Sequence, residues 1–404
     1  MREAVICSPL RTPVGRIGGS LKTVPADQLA ATVIKALVQR TGLDPNSIDD
    51  CIFGHGNPSG ETPAIGRQAA LEADLPVSTP GMQIDRRCGS SLQAICIAAM
   101  EVQTGVADVV LAGGAESMSN VEYYSNAVRW GAHAGDVRLF DRLARARVTA
   151  GSSRYPVEGG MLETAENLRK QYSISRAEQD NYSFQSHKRA TAAWESGRFD
   201  AEVVPVPVRA GKGDVSTVSR DEHFRPDISL EKLAALTPVR LKVDAESTVT
   251  AGNSSGENDG AAVCIVTTRE RAEELGLRPL AVLRSWATAG VHPAYMGIGP
   301  VPATRKALER AGLSLVDLDV IELNEAFAAQ VLACTREWKF TDSDFERLNV
   351  NGSGISLGHP VGATGARIMA TLLYEMERRN VQFGLETMCI GGGQGIAAVV
   401  ERIN

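Results

Sequence analysis

Two cysteines and one histidine, widely separated along the chain, have neighbours that suit covalent chemistry. Cys88 and His359 each open a segment that is predicted to be a helix, and Cys389 precedes three consecutive glycines. A thiol that attacks a carbonyl group needs a base to remove its proton, and a second thiol can serve as a separate acid or base. Brought to one point, these three side chains would form a site for covalent transfer of an acyl group.

Cys88 lies in the segment Ile84-Asp-Arg-Arg-Cys-Gly-Ser-Ser, which is typical of a strand, a sharp turn and then a helix. The small residues after Cys88 predict that its sulfur lies at the start of the helix, where the helix dipole and free backbone N–H groups stabilise a thiolate. We therefore expect a lowered pKa for this thiol. An isolated cysteine is more often a core residue, and it is the presence of His359 and Cys389 that favours a catalytic role.

The segment around His359 is dense in glycine, which occupies positions 352, 354, 358, 362 and 365. So many glycines are costly unless the backbone must closely approach another group. Pro360 is expected just inside the start of the following helix. This pattern favours a functional loop over an ordinary turn that happens to contain a histidine.

Other polar segments are expected to join these side chains. Asn324 ends a predicted strand, where it either caps the following helix or holds a water molecule and polarises a carbonyl group. The glycines after Cys389 offer backbone N–H groups to an enolate or thioester oxygen. Residues 248–260 form a polar, glycine-rich turn that is expected to line the same cleft. The two glycine patterns of nucleotide-binding loops are absent in the strand–helix context that they require.

Short apolar strands alternate with amphipathic helices, which predicts an α/β protein with a mostly covered sheet. The predicted strands are Ala4–Cys7, Cys51–Gly54, Met82–Asp85, Val109–Gly113, Ala261–Thr267, Ala281–Trp286, Val320–Leu323, Met388–Ile390 and Ala397–Val400. The predicted helices are Asp27–Gln39, Ser90–Gln103, Leu162–Tyr172, Arg176–Gly197, Val301–Arg310, Ala326–Thr335 and Ala363–Arg378.

Part of this pattern occurs twice. The segment 35–49 resembles 306–319, and 110–115 resembles 389–393. When the two repeats are aligned with this spacing, Cys88 falls almost at the position of His359. The repeat predicts two similar halves about a pseudo-two-fold axis, with matching helix N-termini that face each other. Residues 119–243 break the rhythm and are interpreted as an inserted loop domain, of the kind that covers substrates. The N-terminal half then comprises 1–118 and 244–268, and the C-terminal half comprises 269–404.

The composition narrows the class of protein. The chain of 404 residues is long enough for two core domains, and its formal net charge of −6 argues against a nucleic-acid-binding protein. The seven cysteines lack the paired spacing of a zinc site or a disulfide framework, so no metal is expected, and Cys7, Cys51, Cys96, Cys264 and Cys334 are interpreted as core residues. No apolar run approaches membrane-spanning length, and no leader or address segment is recognisable, so we expect a cytoplasmic enzyme without membrane insertion.

Taken together, these motifs resemble the thiolase family over nearly the whole chain. The resemblance rests on Arg11-Thr-Pro-Val-Gly, the Cys88 turn, Ala115-Glu-Ser-Met-Ser, Thr164-Ala-Glu-Asn, Thr250-Ala-Gly-Asn, Met296-Gly-Ile-Gly-Pro-Val-Pro-Ala, Asn324-Glu-Ala-Phe-Ala, Gly358-His-Pro-Val-Gly and Cys389-Ile-Gly-Gly-Gly, which follow one another in the family's order. It implies a five-layered α/β/α/β/α fold with two pseudo-two-fold related core halves, an inserted loop domain, and assembly as a homodimer or homotetramer.

The resemblance also implies roles for the site residues. Cys88 would be the nucleophile that carries the acyl group, His359 would activate it, and Cys389 would move the proton at the α-carbon of acetyl-CoA. Asn324 would hold a water molecule in one oxyanion hole with His359, and the backbone N–H groups of Cys88 and Gly391 would form the other. Coenzyme A would be a substrate, and no bound cofactor or metal is implied.

Further positions match the family's substrate-binding residues. Pantetheine would pass Ser255, and Arg225 aligns roughly with a family residue near the nucleotide phosphate. Met161, Met296 and Phe327 match positions near the acyl pocket. The arginines at 138, 142, 145 and 147 form either a basic patch for the nucleotide of CoA or a solvated helix face.

Two departures from the family pattern bear on the substrate. Acetoacetyl-CoA thiolases usually carry His-Met-Gly where this chain has Gly160-Met161-Leu162, and Asp85 stands where the family more often has Asn. The loss of a bulky polar group at Gly160 reshapes the pocket. It favours a degradative 3-ketoacyl-CoA thiolase, of fatty-acid or sterol-type breakdown, that takes longer or bulkier acyl groups.

Three other functions are considered. An acetoacetyl-CoA thiolase (acetyl-CoA acetyltransferase) remains the main alternative. A decarboxylating ketoacyl synthase would need a second histidine in place of Cys389. A non-catalytic carrier of CoA or lipid would need none of Cys88, His359 and Cys389.

Overall fold

The computed structural model describes residues 2–209 and 214–403, so Met1, residues 210–213 and Asn404 of the predicted domains lie outside the described residues. The strands are β1 Ala4–Arg11, β2 Gly15–Arg16, β3 Asp50–Gly54, β4 Met82–Ile84, β5 Val109–Ser117, β6 Tyr123–Tyr124, β7 Phe140–Asp141, β8 Val206–Arg209, β9 Val215–Val218, β10 Asn258–Thr268, β11 Pro279–Gly290, β12 Val320–Leu323, β13 Phe383–Ile390 and β14 Gln394–Arg402. The α-helices are α1 Ala26–Thr41, α2 Ile65–Glu72, α3 Ser90–Thr104, α4 Arg142–Thr149, α5 Gly160–Gln171, α6 Arg176–Glu195, α7 Leu230–Ala234, α8 Arg269–Glu274, α9 Pro300–Ala311, α10 Ala328–Glu337, α11 Gly354–Leu357 and α12 Thr364–Arg379.

The main sheet has the order β12-β13-β14-β11-β1-β10-β5-β3-β4, and β2 pairs with β10 beside this path. Its centre is the antiparallel pair of β1 and β11. Outward from β1 the pairings are antiparallel to β10, antiparallel to β5 and parallel to β3. Outward from β11 they are antiparallel to β14, antiparallel to β13 and parallel to β12. The two halves thus repeat one pairing pattern about a pseudo-two-fold axis between β1 and β11.

The two halves of the main sheet are the two β-layers of a five-layered arrangement, and three apolar clusters lie between these β-layers and the helices. One joins α1 and α2 to the outer face of the N-terminal strands. The second surrounds α3 and α12, which lie between the two halves and pack on strands of both. The third joins α9 and α10 to the outer face of the C-terminal strands. The predicted α/β/α/β/α fold is therefore confirmed, and the two central helices bring the Cys88 and His359 segments together.

Every predicted strand and helix is present, although several ends differ. The helix after Asn324 begins at Ala328 with Phe327 at its cap position, so of the two alternatives for Asn324 the structure excludes the helix cap. The helix after His359 begins at Thr364, so Pro360 precedes that helix rather than lying within its first turn. The five cysteines interpreted as core residues are all buried.

The segment predicted to be an inserted domain contributes α4 to α7 and two small hairpins, and it packs on the C-terminal half. Helix α5 packs on α10, and α6 packs on α10 and α11. Arg11 of β1 anchors the far end of the segment, since its buried guanidinium donates to Glu202 and Asp221. Among the described residues, no helix is long and apolar enough to cross a membrane.

Candidate active site

A cavity of about 460 Å³ opens between the two halves beneath α4 and the start of α5. Of the predicted site residues it is lined by Cys88, Met161, Ser255, Met296, Phe327, His359 and Gly391. The glycine-rich turn also contributes Thr250, Ala251, Ser254, Gly256 and Glu257 to its wall. The structure thus gathers the nucleophile, the histidine and most of the predicted binding residues around one space.

Local hydrogen bonds hold the turn that carries Cys88. Arg87 has a φ of +48°, a left-handed conformation that costs a residue with a side chain about 1–2 kcal/mol. The Asp85 carboxylate accepts from the Arg87 N–H at 2.8 Å, and Ser90 Oγ donates to the Arg87 carbonyl at 2.6 Å. The Arg87 guanidinium also donates to the carbonyl groups of Gly56 and Ala146. These bonds stabilise the strained turn, and they give Asp85 a structural role that its sequence context did not reveal.

The pKa of Cys88 is raised rather than lowered, so the predicted direction is wrong. Burial of the sulfur is the larger effect, although hydrogen bonds from the N–H groups of Gly391 and of Cys88 itself, with the charge of Arg87, act in the opposite direction. Cys88 lies in a single 3₁₀ turn, Arg87–Gly89, ahead of α3. It is therefore a protonated thiol that requires a base.

Contacts from distant parts of the chain position His359, the predicted base. Its backbone N–H donates to Asn258 Oδ1 at 2.8 Å, and Gly358 before it has a φ of +102° that a residue with a side chain rarely adopts. Burial, followed by the charges of Arg367 and Arg147, lowers the pKa of His359 to about 3. The imidazole is therefore neutral at physiological pH, and one of its ring nitrogens carries a lone pair.

The hydrogen bonds of Thr364 determine which ring nitrogen of His359 carries the lone pair. Thr364 Oγ donates to the Pro360 carbonyl at 2.9 Å, and it lies 2.6 Å from His359 Nδ1. Because the hydroxyl proton is already used, Nδ1–H must be the donor to Thr364 and Nε2 carries the lone pair. Nε2 is buried and has no hydrogen-bond partner among the described residues.

Cys389 and Asn324 lie behind the cavity wall. Cys389 is fully buried beside Met161, Met296 and Phe327, and burial followed by the charge of Cys88 raises its pKa well above the ordinary value. The Asn324 side chain is also fully buried, and neither Oδ1 nor Nδ2 has a partner in the described part of the chain. An unpaired buried amide is costly, so this side chain is suited to hold a polar group or water that belongs to the reaction.

Two of the glycines near His359 serve packing rather than approach to a ligand. A Cβ atom at Gly365 would lie 2.4 Å from the backbone nitrogen of Leu92 in α3, and one at Gly362 would lie 2.6 Å from the carbonyl oxygen of Ala115. The glycine pattern therefore reflects close packing of the backbone at these two positions, in addition to any role at the site. Gly362, in the segment before α12, and Gly365, in its first turn, let this part of the chain approach β5 and α3 closely enough to bring His359 to Cys88.

Some predicted binding residues lie elsewhere or are already engaged. Arg225 is exposed and does not line the cavity; its backbone N–H donates to His187. In the arginine stretch, Arg147 forms an ion pair with Glu257 at the cavity wall. Arg142 pairs with Glu122, while Arg138 and Arg145 lie over the ring of Phe140.

Sequence analysis did not identify Asn258, Thr364 or Glu116 as site residues. Glu116 Oε2 accepts from the N–H groups of Gly56 and Gly362 and so links the two halves beside the cavity. Asn258 lies in the glycine-rich turn that was expected to line the cleft. Thr364 follows His359 by five residues, but nothing in that spacing distinguishes it from neighbouring polar residues. No group of three or more metal-ligating side chains occurs in residues 2–209 and 214–403.

Comparisons with known proteins agree with this arrangement. The family model described as the N-terminal domain of thiolase matches residues 4–270, and that of the C-terminal domain matches residues 277–402. Beta-ketothiolase BktB of Cupriavidus necator is 47% identical over 403 residues, which cover 100% of both chains. An acetyl-CoA acetyltransferase of Chromobacterium violaceum is 44% identical over 99% of this chain and 100% of its own length.

Solved structures give the same result. The acetyl-CoA acetyltransferase of Bacillus anthracis has a TM-score of 0.94 at 43% identity and covers 100% of this chain and 99% of its own. Human mitochondrial 3-ketoacyl-CoA thiolase has a TM-score of 0.93 at 38% identity with the same coverage. The protein is therefore a member of the thiolase family, an acyltransferase that uses coenzyme A thioesters.

Proposed function

We propose that the protein cleaves 3-ketoacyl-CoA with CoA to give acetyl-CoA, or another short acyl-CoA, and a shortened acyl-CoA. The observation that carries this proposal is the cavity shared by the half-buried thiol of Cys88 and a neutral imidazole, His359, whose buried Nε2 has no hydrogen-bond partner among the described residues. The reaction would serve the degradation of fatty acids or sterol-type compounds. The protein would act in the cytoplasm, without metal or bound cofactor, as a homodimer or homotetramer.

In the first half-reaction, His359 Nε2 accepts the Cys88 proton and the thiolate attacks the 3-keto carbon of the substrate. The bond between C2 and C3 then breaks, and the electron pair passes to C2 as the enolate of acetyl-CoA. Cys389, whose raised pKa keeps it protonated, donates its proton to that carbon. Oxyanions would be stabilised by the N–H groups of Cys88 and Gly391 at one position, and by His359 with a water held by Asn324 at the other.

In the second half-reaction, the thiol of CoA attacks the acyl group on Cys88. Cys389 recovers its proton from that thiol, and Cys88 leaves as a thiolate that takes back the proton held by His359. The shortened acyl-CoA is released, and the enzyme returns to its starting protonation state. The cycle needs no oxidant or reductant, since every proton and electron pair is returned.

The preference for longer or bulkier acyl groups is supported by the backbone at Gly160. This residue has a φ of +60°, and a Cβ atom there would lie 3.2 Å from Arg147 Cβ. A histidine at this position would be strained and would enter the cavity, which here extends past Gly160 toward α4. Names of relatives divide between acetyl transfer and ketothiolase activity, so acetoacetyl-CoA thiolase is the second candidate.

The test is CoA-dependent thiolysis of acetoacetyl-CoA and of medium-chain, long-chain and ring-bearing 3-ketoacyl-CoAs, with Cys88→Ala as the control. Turnover of the larger substrates, abolished in the variant, is the expected result. Activity on acetoacetyl-CoA alone would instead favour the second candidate, an acetoacetyl-CoA thiolase.

The variant Gly160→His tests the substrate preference. Thiolysis of long-chain substrates should fall more in this variant than thiolysis of acetoacetyl-CoA. An equal fall for both substrates would mean that Gly160 does not determine the preference for longer acyl groups.

A further inference from the structure

Two glutamates behind the site face each other across neighbouring strands. Glu322 of β12 and Glu386 of β13 are register partners in a parallel pair, and both side chains are fully buried. Adjacent strands lie about 4.8 Å apart, so the two carboxyl groups stand side by side on the face that packs against α12. Their four carboxyl oxygens lack a hydrogen-bond partner among the described residues.

Arg367 of α12 is the cation that accompanies this pair. Its side chain is buried, and Nη2 donates to the carbonyl of Gly358 at 3.3 Å. Its Nε and Nη1 are buried and lack a partner in the described part of the chain. Gly358 directly precedes His359, so Arg367, whose charge acts on both glutamates without an ion pair to either, also bonds to the backbone that positions the proposed base.

The neighbouring charged groups have partners of their own. Glu202 and Asp221 hold Arg11, Glu325 accepts from Tyr182 and Ser186, and Arg189 donates to carbonyl groups of the 345–349 segment. The charge of Glu386 also adds to burial in raising the pKa of two buried thiols, Cys96 and Cys264. Arg86, whose charge also acts on Cys96, donates to Gln394 through Nη1 and has a buried Nε without a partner among the described residues. Arg367 is the cation whose charge acts on both Glu322 and Glu386.

Leaving such groups unsatisfied would be costly. Buried polar atoms nearly always have a partner, and an unpaired buried charge destabilises a protein by several kcal/mol. Burial raises the pKa of Glu322 to about 8, and burial followed by the charge of Glu322 raises the pKa of Glu386 well above its ordinary value. Two ionised carboxylates side by side are thus disfavoured, and a proton between them satisfies two of the unpaired oxygens at once.

We propose that Glu322, Glu386 and Arg367 form a buried positioning unit for His359, in which the glutamate pair retains a proton and Arg367 holds the carbonyl of Gly358. The inference rests on the proposed role of His359 as the base. The same two strands carry the other site residues, because Asn324 follows Glu322 by two residues and Cys389 follows Glu386 by three. The unit therefore orients His359 relative to both, and the charge of Arg367 adds to burial in keeping the imidazole neutral.

The first test compares Arg367→Met with Arg367→Lys, and uses Arg379→Met as the control on the same helix. Arg379 is part-exposed and bonds to Glu375, away from the unit. In Arg367→Met, loss of the nearby positive charge should raise the pKa of His359 and move the acidic limb of the kcat/KM profile up by about one pH unit. The value of kcat should fall about tenfold with KM little changed, and Arg367→Lys should restore the wild-type limb. A limb that stays in place, as in Arg379→Met, would overturn the proposal.

The second test observes the proton directly by infrared spectroscopy at pH 7. A carbonyl band of a protonated carboxylic acid, shifted in D₂O, is expected in the wild type and should be reduced in Glu386→Gln and in Glu322→Gln. If Arg367→Met does not fold, these isosteric variants decide the matter, since a band unchanged in both would contradict a shared proton. The variant His359→Asn distinguishes failure of the proposed function from failure of the positioning unit. Full activity of His359→Asn would show that His359 is not the base. Loss of activity in His359→Asn, with wild-type kinetics in Arg367→Met, would contradict only the positioning unit.

Discussion

The segments that carry Cys88 and His359 occupy related places in the two halves but are held in different ways. Cys88 depends on its own turn, where Asp85 and Ser90 bond to the strained Arg87 within a few residues. His359 depends on Asn258, which is 101 residues away, and on Thr364 and Arg367 of the following helix. One half thus positions the proposed nucleophile by local geometry, and the other positions the proposed base by tertiary contacts.

The largest effect should follow removal of either reacting group. His359→Asn keeps a polar side chain but lacks the accepting Nε2, so we expect thiolysis to fall by at least about a thousandfold, as in Cys88→Ala. Mass spectrometry should detect an acyl-enzyme in wild type and none in Cys88→Ala. The exposed His133 provides the control His133→Asn, which should keep full activity. If His359→Asn retained even a tenth of wild-type turnover, the proposed base would be wrong.

Loss of a tertiary contact to the base should come next. Asn258→Ala removes the acceptor for the His359 N–H and the donor to the Gly15 carbonyl. An unpaired buried group costs about 1–3 kcal/mol, which predicts a fall in kcat of roughly tenfold to a hundredfold. Steady-state kinetics with Asn120→Ala as the control measures this, since Asn120 is exposed and bonds to Lys22 and Ser117 away from His359. A change equal to that of the control would show that Asn258 does not position the base.

Loss of a local contact to the nucleophile should have a smaller effect. Asp85→Ala removes the acceptor for the Arg87 N–H, which should destabilise the turn by about 1 kcal/mol and lower kcat severalfold. Asp85→Asn keeps a side-chain oxygen, so it should behave like the wild type. Urea unfolding and kinetics of both variants test this. Equal behaviour of the two substitutions would mean that charge or solvation, rather than the hydrogen bond, explains Asp85.

The last expected effect is on stability in acid and leaves turnover at neutral pH unchanged. The pKa of His359 is about 3 in the folded protein and lies near 6.5 when the chain is unfolded, so only the unfolded chain binds a proton between these values. Stability should therefore fall as pH decreases from about 6.5 toward 3, by at most about 1.4 kcal/mol per pH unit from this group.

Urea unfolding of wild type and His359→Asn at pH 7 and pH 5 measures this contribution. The variant His359→Asn should lose less stability between pH 7 and pH 5 than the wild type. The control His133→Asn should lose as much stability as the wild type. The buried His187 and the part-buried His223, whose pKa values are lowered mainly by desolvation to about 3 and about 4, add to the wild-type loss. An equal loss in wild type and His359→Asn would mean that His359 is not buried in its neutral form.

Sequence patterns predicted the fold more fully than the electrostatics of the site. Apolar periodicity located the strands and helices because those patterns reflect local backbone geometry and burial. The repeat predicted the two halves, since similar segments fold alike and pack about an axis. The pKa of Cys88 was predicted in the wrong direction, because the helix start is visible in sequence while the burial of its sulfur depends on residues far along the chain.

The sequence by itself determined the α/β layers, the duplication and the three reactive side chains, since these depend on local spacing and residue type. Only the tertiary structure decided that Asn258 and Thr364 orient His359, that Gly362 and Gly365 serve helix packing, and that Glu322 and Glu386 face each other. Those relations join residues through contacts across layers. Hydrogen bonding and desolvation act over a few ångströms in space, and sequence spacing does not encode such distances.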